Sequence, residues 1–238
     1  MSGHSKWATI KHRKGAADAK RAASFTKLIR EVEVAAREKG PDPAMNFRLR
    51  LAMDRARSAN VPKDNIERAV ARGSGAGSDV QIEETRYEAY GPGGVGLIVE
   101  CLTDNRNRAA NDVKLTLSKK GGSFAAPGSV SFQFENKGVV RLGSVSADKR
   151  DEVELALIDA GAEDIKHEEE ETVVICPIND LSNITDACNN LSLDIKQAQI
   201  EWVPKVLVEA DDESLETLSN LIDALEELDD VQNVFTNV

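Results

Sequence analysis

At Gly73-Ser-Gly-Ala-Gly-Ser78 the chain changes both its charge and its hydrophobic rhythm, so no single core runs across that point. Up to Gly77 there are 17 Lys and Arg against 8 Asp and Glu, a net of +9. The remaining 161 residues hold 13 against 33, a net of −20. The whole-chain net charge of −11 hides this division. Segregated charge of this kind points to a leading module that grips phosphates and an acidic body that repels them.

The basic part carries helical periodicity. A first helix is expected over 16–39, with Phe25, Ile29, Val32 and Ala36 on one face and a stop at Gly40-Pro41. A second is expected over 44–59, with Met45, Leu49, Ala52, Met53 and Ala56 aligned, broken by Asn60-Val61-Pro62. A third, over 63–72, closes at Gly73 as a C′ glycine. Three short amphipathic helices bury their stripes against one another, which makes 1–77 a small bundle.

After the linker the texture becomes strand and helix. A strand at 96–102, a helix at 105–120 and a strand at 129–135 come first, the last with Val130, Phe132 and Phe134 alternating against polar neighbours. Residues 137–203 read strand, helix, strand, strand, helix, strand, the ferredoxin-like order. The tail reads strand (205–210), helix (212–228), strand (231–236), half of such a unit. Its missing half is the segment before 136, since either half alone leaves a sheet too small to cover its helices. The expected fold class is therefore α+β: a three-helix bundle (1–77), a discontinuous ferredoxin-like domain (78–136 plus 204–238), and a second one inserted in it (137–203).

With 41% apolar and 30% charged residues the composition is that of a globular protein, not a disordered one. No apolar run approaches the ~20 residues of a membrane span. The opening is basic but lacks an apolar h-region, so it is not a secretory signal. Its mitochondrial-presequence texture runs straight on into a helix with a core face. Cys101, Cys176 and Cys188 lie in apolar stretches without C-x-x-C spacing, which reads as buried free thiols in a reducing cytoplasm.

The densest chemistry is at the start. Lys6, Trp7, Lys11, His12, Arg13, Lys14, Lys20, Arg21, Lys27 and Arg30 occur with one acid, Asp18, among them. Lys20 and Lys27 share nearly one azimuth on a helix, and Arg48/Arg55 and Arg50/Arg57 repeat that spacing. Such cations neutralise phosphates and release counterions without reading bases. Trp7 either offers a stacking face to an unpaired base or closes the bundle. A candidate anion site is Asn105-Arg106-Asn107-Arg108, at a strand-to-helix join where free N–H groups meet two arginines. Capping by Thr103 or Asp104 with exposed arginines is the alternative. The stretch Tyr90-Gly-Pro-Gly-Gly-Val-Gly96 matches G-x-G-x-x-G formally, but a strand follows it, so it reads as a tight turn between strands. Phe132 and Phe134 read as core, and Glu168 to Glu171 as a solvated hairpin tip. His4, His12 and His167 have no metal-ligand spacing, and no nucleophile–base pair stands out. The chain reads as a non-enzyme without cofactor, metal or small-molecule substrate.

Several stretches closely resemble the YebC/PmpR family: Gly3-His-Ser-Lys-Trp7, Lys11-His-Arg-Lys-Gly15 with Asp18-Ala-Lys-Arg21, and Phe25-Thr-Lys-Leu-Ile-Arg-Glu31. So do Asn60-Val-Pro-Lys-Asp-Asn-Ile66, Tyr90-Gly-Pro-Gly-Gly94 and Glu100-Cys-Leu-Thr-Asp-Asn-Arg-Asn-Arg108. The match spans the chain, specifically to about Glu135 and by pattern beyond, with Ser2 in place of the usual Ala. The resemblance implies a three-domain cytoplasmic regulator of gene expression without catalytic activity. It leaves two targets open: DNA, for a transcriptional regulator, or ribosomal RNA, for a translation factor using the same basic face. In either case the acidic domains are free to recruit protein partners.

Overall fold

The computed structural model describes residues 18–75, 82–168 and 170–238. Helix α1 (Asp18–Lys39) stops at Gly40, whose positive φ of 91° lets its N–H return to Ala36 O. Helix α2 (Phe47–Ser58) begins three residues later than the periodicity suggests, because Met45 and Asn46 both close a turn on Asp42 O. Met45, expected on the apolar face, is accordingly 83% exposed. Asn46 is fully buried and joins two helices: Oδ1 accepts from Leu49 N as the N-cap, while Nδ2 donates to Ala35 O and Gly40 O. The end of α2 is a Schellman motif, with Asn60 at φ 61°, Asn60 N on Arg57 O and Val61 N on Ala56 O.

Helix α3 (Lys63–Gly73) corrects the expectation for Gly73, which lies inside the helix and is buried. The residue with positive φ is Gly75, at 96°. A Cβ on Gly73 would stand 2.2 Å from Glu33 O and 2.8 Å from Ala36 Cβ, so this glycine is a contact surface for α1. Small residues make that approach feasible. The bundle core consists of Val32, Ala35, Ala36, Leu49, Ala52, Ala56, Val61, Ile66 and Ala69.

The first sheet contains β1 (Glu83–Tyr90), β2 (Gly96–Thr103), the short β3 (Ser123–Phe124) and β8 (Val231–Thr236), in the order β3-β1-β2-β8. Strands β1 and β2 form a hairpin registered from Glu83↔Thr103 to Tyr90↔Gly96. The glycine turn joins them as expected, and at Gly93 the φ of 72° strains any side chain, whose Cβ would also sit tightly, 3.1 Å from Ala210 Cβ. Helices α4 (Arg106–Lys119) and α7 (Asp212–Glu226) cover one face of this sheet. Val113 and Leu117 from the first and Leu218, Leu221 and Leu225 from the second pack on Leu97, Val99 and Cys101.

Two expected strands are absent. Residues 129–135 form a 3-10 turn at Ser131–Gln133, with Val130 and Phe134 buried and Phe132 66% exposed. The cause is Glu88, a buried carboxylate on β1 that accepts from Gly128 N, Val130 N and Ser131 N at 2.6–2.9 Å. Those donors are no longer free for a ladder. Residues 205–210 are irregular, held by Lys205 N on Gln133 O and Val208 N on Asn237 O. The places left open are taken by β1 and β3, so the central strands of this sheet are a hairpin and its connectivity departs from the ferredoxin-like order.

Residues 135–203 form a separate compact unit. It contains β4 (Phe134–Gly143), α5 (Arg150–Asp159), β5 (Asp164–His167), β6 (Glu171–Cys176), α6 (Leu181–Asn190) and β7 (Ile195–Pro204). Its strand order, β5-β6-β4-β7, is the expected ferredoxin-like one. The helix stripes expected from sequence are inside: Val153 and Leu157, then Leu181, Ile184 and Cys188. All three cysteines are free and buried, and burial pushes their thiols up, Cys101 to about 12 and the other two to about 11.

Two outcomes test this packing. Gly73→Ala gains helix propensity of about 1 kcal/mol but overpacks against the Glu33 carbonyl at a cost of about 1–3 kcal/mol. Urea unfolding is expected to show a net loss; a gain would mean α1 and α3 are not in that contact. Burial raises the Glu88 pKa, but its three backbone donors outweigh this and hold it below the ordinary 4.5. A depressed folded-state value gives stability that is present above 4.5 and disappears as pH falls through the folded value. Glu88→Gln is therefore expected to flatten the acid limb of a stability-versus-pH curve below about pH 5. An unchanged limb would exclude Glu88 as its source.

Candidate nucleic-acid interface

Of the ten residues expected to form the leading basic surface, Lys6, Trp7, Lys11, His12, Arg13 and Lys14 lie outside the described residues. Lys20 and Arg21 belong to the first turns of α1, and their side chains also lie outside them. Lys27 and Arg30 are described, and both face the body of the protein. Lys27 Nζ donates to Glu226 O at 2.6 Å. Arg30 Nη1 donates to Asp229 O at 2.8 Å and to Asp230 Oδ1 at 3.0 Å. Burial lowers the Lys27 pKa, with the Glu226 and Asp229 charges partly offsetting it.

The cations of the other two helices are also engaged. Arg48 Nη1 donates to both oxygens of Glu38 at 2.8 Å, and its Nη2 reaches Glu84 of β1 at 2.6 Å. Arg55 pairs with Glu31 at 2.8 Å, and Arg57 with Asp54 at 2.8 Å. Arg37 and Arg72 share the buried Glu33 carboxylate. Arg50 lies 5.0 Å over the Phe47 ring. The seven-residue spacings are real helix geometry, but the guanidinium groups of Arg48, Arg55 and Arg57 lead to protein carboxylates and that of Arg50 to an aromatic ring. The acid-free stretch is the first 17 residues, with Lys6, Lys11, Arg13 and Lys14 and no Asp or Glu.

At the second candidate site the cap is Asn105 rather than the expected Thr103 or Asp104. Asn105 is the N-cap of α4, its Oδ1 accepting from Arg108 N at 3.1 Å, and Thr103 Oγ1 accepts from Asn105 N at 3.0 Å. Arg106 pairs with Glu83 at 2.5 Å, and its carbonyl accepts from the Tyr87 hydroxyl. Arg108 donates to Asp104 Oδ1 at 2.7 Å and to Asp230 Oδ2 at 2.8 Å. Those two carboxylates hold the Arg108 pKa above its ordinary value, and Arg108 in turn lowers that of Asp104. The adjoining cleft, about 660 Å³, is lined by Arg30, Arg108, Asp104, Asp112, Glu227 and Asp230 among others. A phosphate entering it would compete with the carboxylates that already hold Arg30 and Arg108.

Sequence reasoning missed Asp230. It is 7% exposed and takes Arg30, Arg108 and the Thr103 hydroxyl on one carboxylate. The signal for it was Glu226-Glu227-Leu228-Asp229-Asp230 at the end of α7, which has no basic residue in its last turn. Acids there oppose the helix dipole and call for cations from elsewhere in the chain.

The TACO1/YebC protein N-terminal domain matches residues 5–76, and the TACO1/YebC second and third domain matches 82–238. The chain is similar to a probable transcriptional regulatory protein of Frankia casuarinae, at 50% identity over 100% of this chain and 95% of the relative. A namesake from Parafrankia sp. is 48% identical with the same coverage. Among solved structures, the conserved hypothetical protein Aq1575 of Aquifex aeolicus superposes with a TM-score of 0.87. It is 42% identical, over 98% of this chain and 96% of that one.

The two arginines of α4 should behave differently. Arg108→Ala leaves the buried Asp230 short of a partner and is expected to cost about 1–2 kcal/mol, discounted for the half-exposed guanidinium. Arg106→Ala, whose pair with Glu83 is solvent-exposed, is expected to stay within about 0.5 kcal/mol of the parent. Thermal unfolding of both variants decides this; equal melting temperatures would remove Arg108 from its structural role.

Proposed function

The chain belongs to the TACO1/YebC family, and from that premise we propose that it is a non-enzymatic, cytoplasmic regulator of gene expression that binds nucleic acid. Its DNA contacts come from the leading segment: Lys6, Lys11, Arg13 and Lys14 with Lys20 and Arg21. The observation that carries this reading is the separation of charge. The first 21 residues hold six Lys and Arg against one Asp, while the bundle cations downstream are largely occupied by acids of the protein. A short cationic segment ahead of a neutralised bundle provides phosphate affinity with little base reading. The relatives named probable transcriptional regulatory proteins support DNA as the target. The acidic domains, whose field repels a polyanion, are left for protein partners. In this reading the chain is divided at 1–77, 78–136 with 204–238, and 137–203.

Ribosomal RNA is the second reading. Exposed bundle arginines are held by their own helices, Arg57 on Asp54 and Arg68 on Asn65, rather than presented as a base-reading row. That favours a target recognised by its backbone and shape.

Sedimentation of a lysate through a sucrose gradient separates the two. Migration with ribosomes that survives DNase would replace DNA by RNA as the target, whereas loss of all co-migration on DNase treatment supports the first reading. With either target, replacing Lys11, Arg13 and Lys14 by alanine is expected to lower the slope of log affinity against log salt by about 3. An unchanged slope would take the leading segment out of the contact.

A further inference from the structure

We propose that the α1 face bearing Lys27 and Arg30 is a polyanion-binding surface held shut by the acidic turn after α7, and that nucleic acid competes with this turn for the two cations. The inference rests on the nucleic-acid reading above and adds a regulatory contact to it. Three residues apart, Lys27 and Arg30 lie on one side of α1. Between them they take Glu226 O, Asp229 O and Asp230 Oδ1, three oxygens from one turn of chain.

That turn is a fair copy of a phosphate backbone. Glu226 closes α7, where the helix dipole concentrates negative charge. The carboxylates of Glu226, Glu227, Asp229 and Asp230 add to it, and the last turn of α7 contributes no cation of its own. The turn therefore takes its counter-charge from elsewhere, from Arg108 of α4 and from Lys27 and Arg30 of α1, and the latter two extend the basic series of the leading segment. The match is incomplete at Lys27, which donates to a carbonyl rather than a carboxylate while partly buried. A phosphate oxygen would give that ammonium a full opposite charge. Two further polar contacts between bundle and body, Arg48 with Glu84 and Arg37 with Ile82 O, involve partly exposed side chains and are individually weak. A polyanion can outcompete them.

Binding of the full-length protein to a short DNA duplex, and to the RNA duplex of the same sequence, tests the proposal. Asp230→Asn removes the charge that holds Arg30, and affinity for whichever duplex binds is expected to rise about threefold to tenfold as the competent state becomes more populated. Adding Lys27→Ala and Arg30→Ala to that variant should abolish the gain, while the same pair in the parent has a smaller effect. If the parent binds and Asp230→Asn binds no better, the latch is wrong and the nucleic-acid reading stands. A gain that survives loss of Lys27 and Arg30 also overturns the latch, because the charge change alone then accounts for it. If neither parent nor variant binds either duplex, the nucleic-acid reading itself has failed. Should Asp230→Asn not fold, hydrogen exchange on the parent decides. Saturating duplex should speed amide exchange at 226–231, and unchanged or slower exchange there overturns the latch.

Discussion

A buried carboxylate cannot stay ionised without partners, and that requirement at Asp230 ties three distant parts of the chain together. Arg30 arrives from α1, Arg108 from α4 and the Thr103 hydroxyl from the end of β2, all on the two oxygens of one side chain. Its own carbonyl accepts from Leu102 N, so the turn that bears it is anchored to the sheet. Removing any one partner leaves the others to compensate a charge that water barely reaches. Buried ion pairs add little net stability compared with apolar packing, but they penalise every arrangement that separates them. That penalty favours the placement of α1 in which Arg30 meets Asp230.

The same constraint gives some of the cations protein partners that the sequence does not announce. Composition and spacing identify Lys27, Arg30 and Arg108 as exposed charges on helical faces. Their partners lie 199, 200 and 122 residues away, beyond the reach of any local pattern. What local patterns do reach is well reproduced: the Gly40 stop, the stripe of α1 and, Met45 apart, that of α2, the glycine turn between β1 and β2, and the strand order of 135–203. Where a side chain supplies the hydrogen bond that backbone would otherwise make, the pattern fails. Glu88 takes the donors of Gly128, Val130 and Ser131, so an alternating Val-Ser-Phe-Gln-Phe stretch does not become a strand. In turn, β1 was overlooked because its eight residues carry Glu83, Glu84, Arg86 and Glu88, and only Tyr87 and Ala89 reach the core. Met45 and Gly73 show the related error of assigning a residue to a helix face or helix end from spacing alone.

Charge accounting inside the bundle bears on the function more directly than any motif. The first 77 residues hold 17 Lys and Arg and 8 acids of their own, and the body lends Glu84 and Asp230 in direct ion pairs among the described residues. Even with every one of those ten carboxylates satisfied, seven cations are left over. The eight acids all lie between residues 18 and 67, whereas Lys6, Lys11, Arg13 and Lys14 precede the first of them. The surplus therefore accumulates at the leading end, far in sequence from compensation. Neighbouring like charges repel, so a segment of this kind lowers its free energy by meeting a polyanion. Bundle cations that are already paired gain less from such a meeting, so in the proposed reading nucleic acid engages the start of the chain first and the paired cations of α1 only by competition.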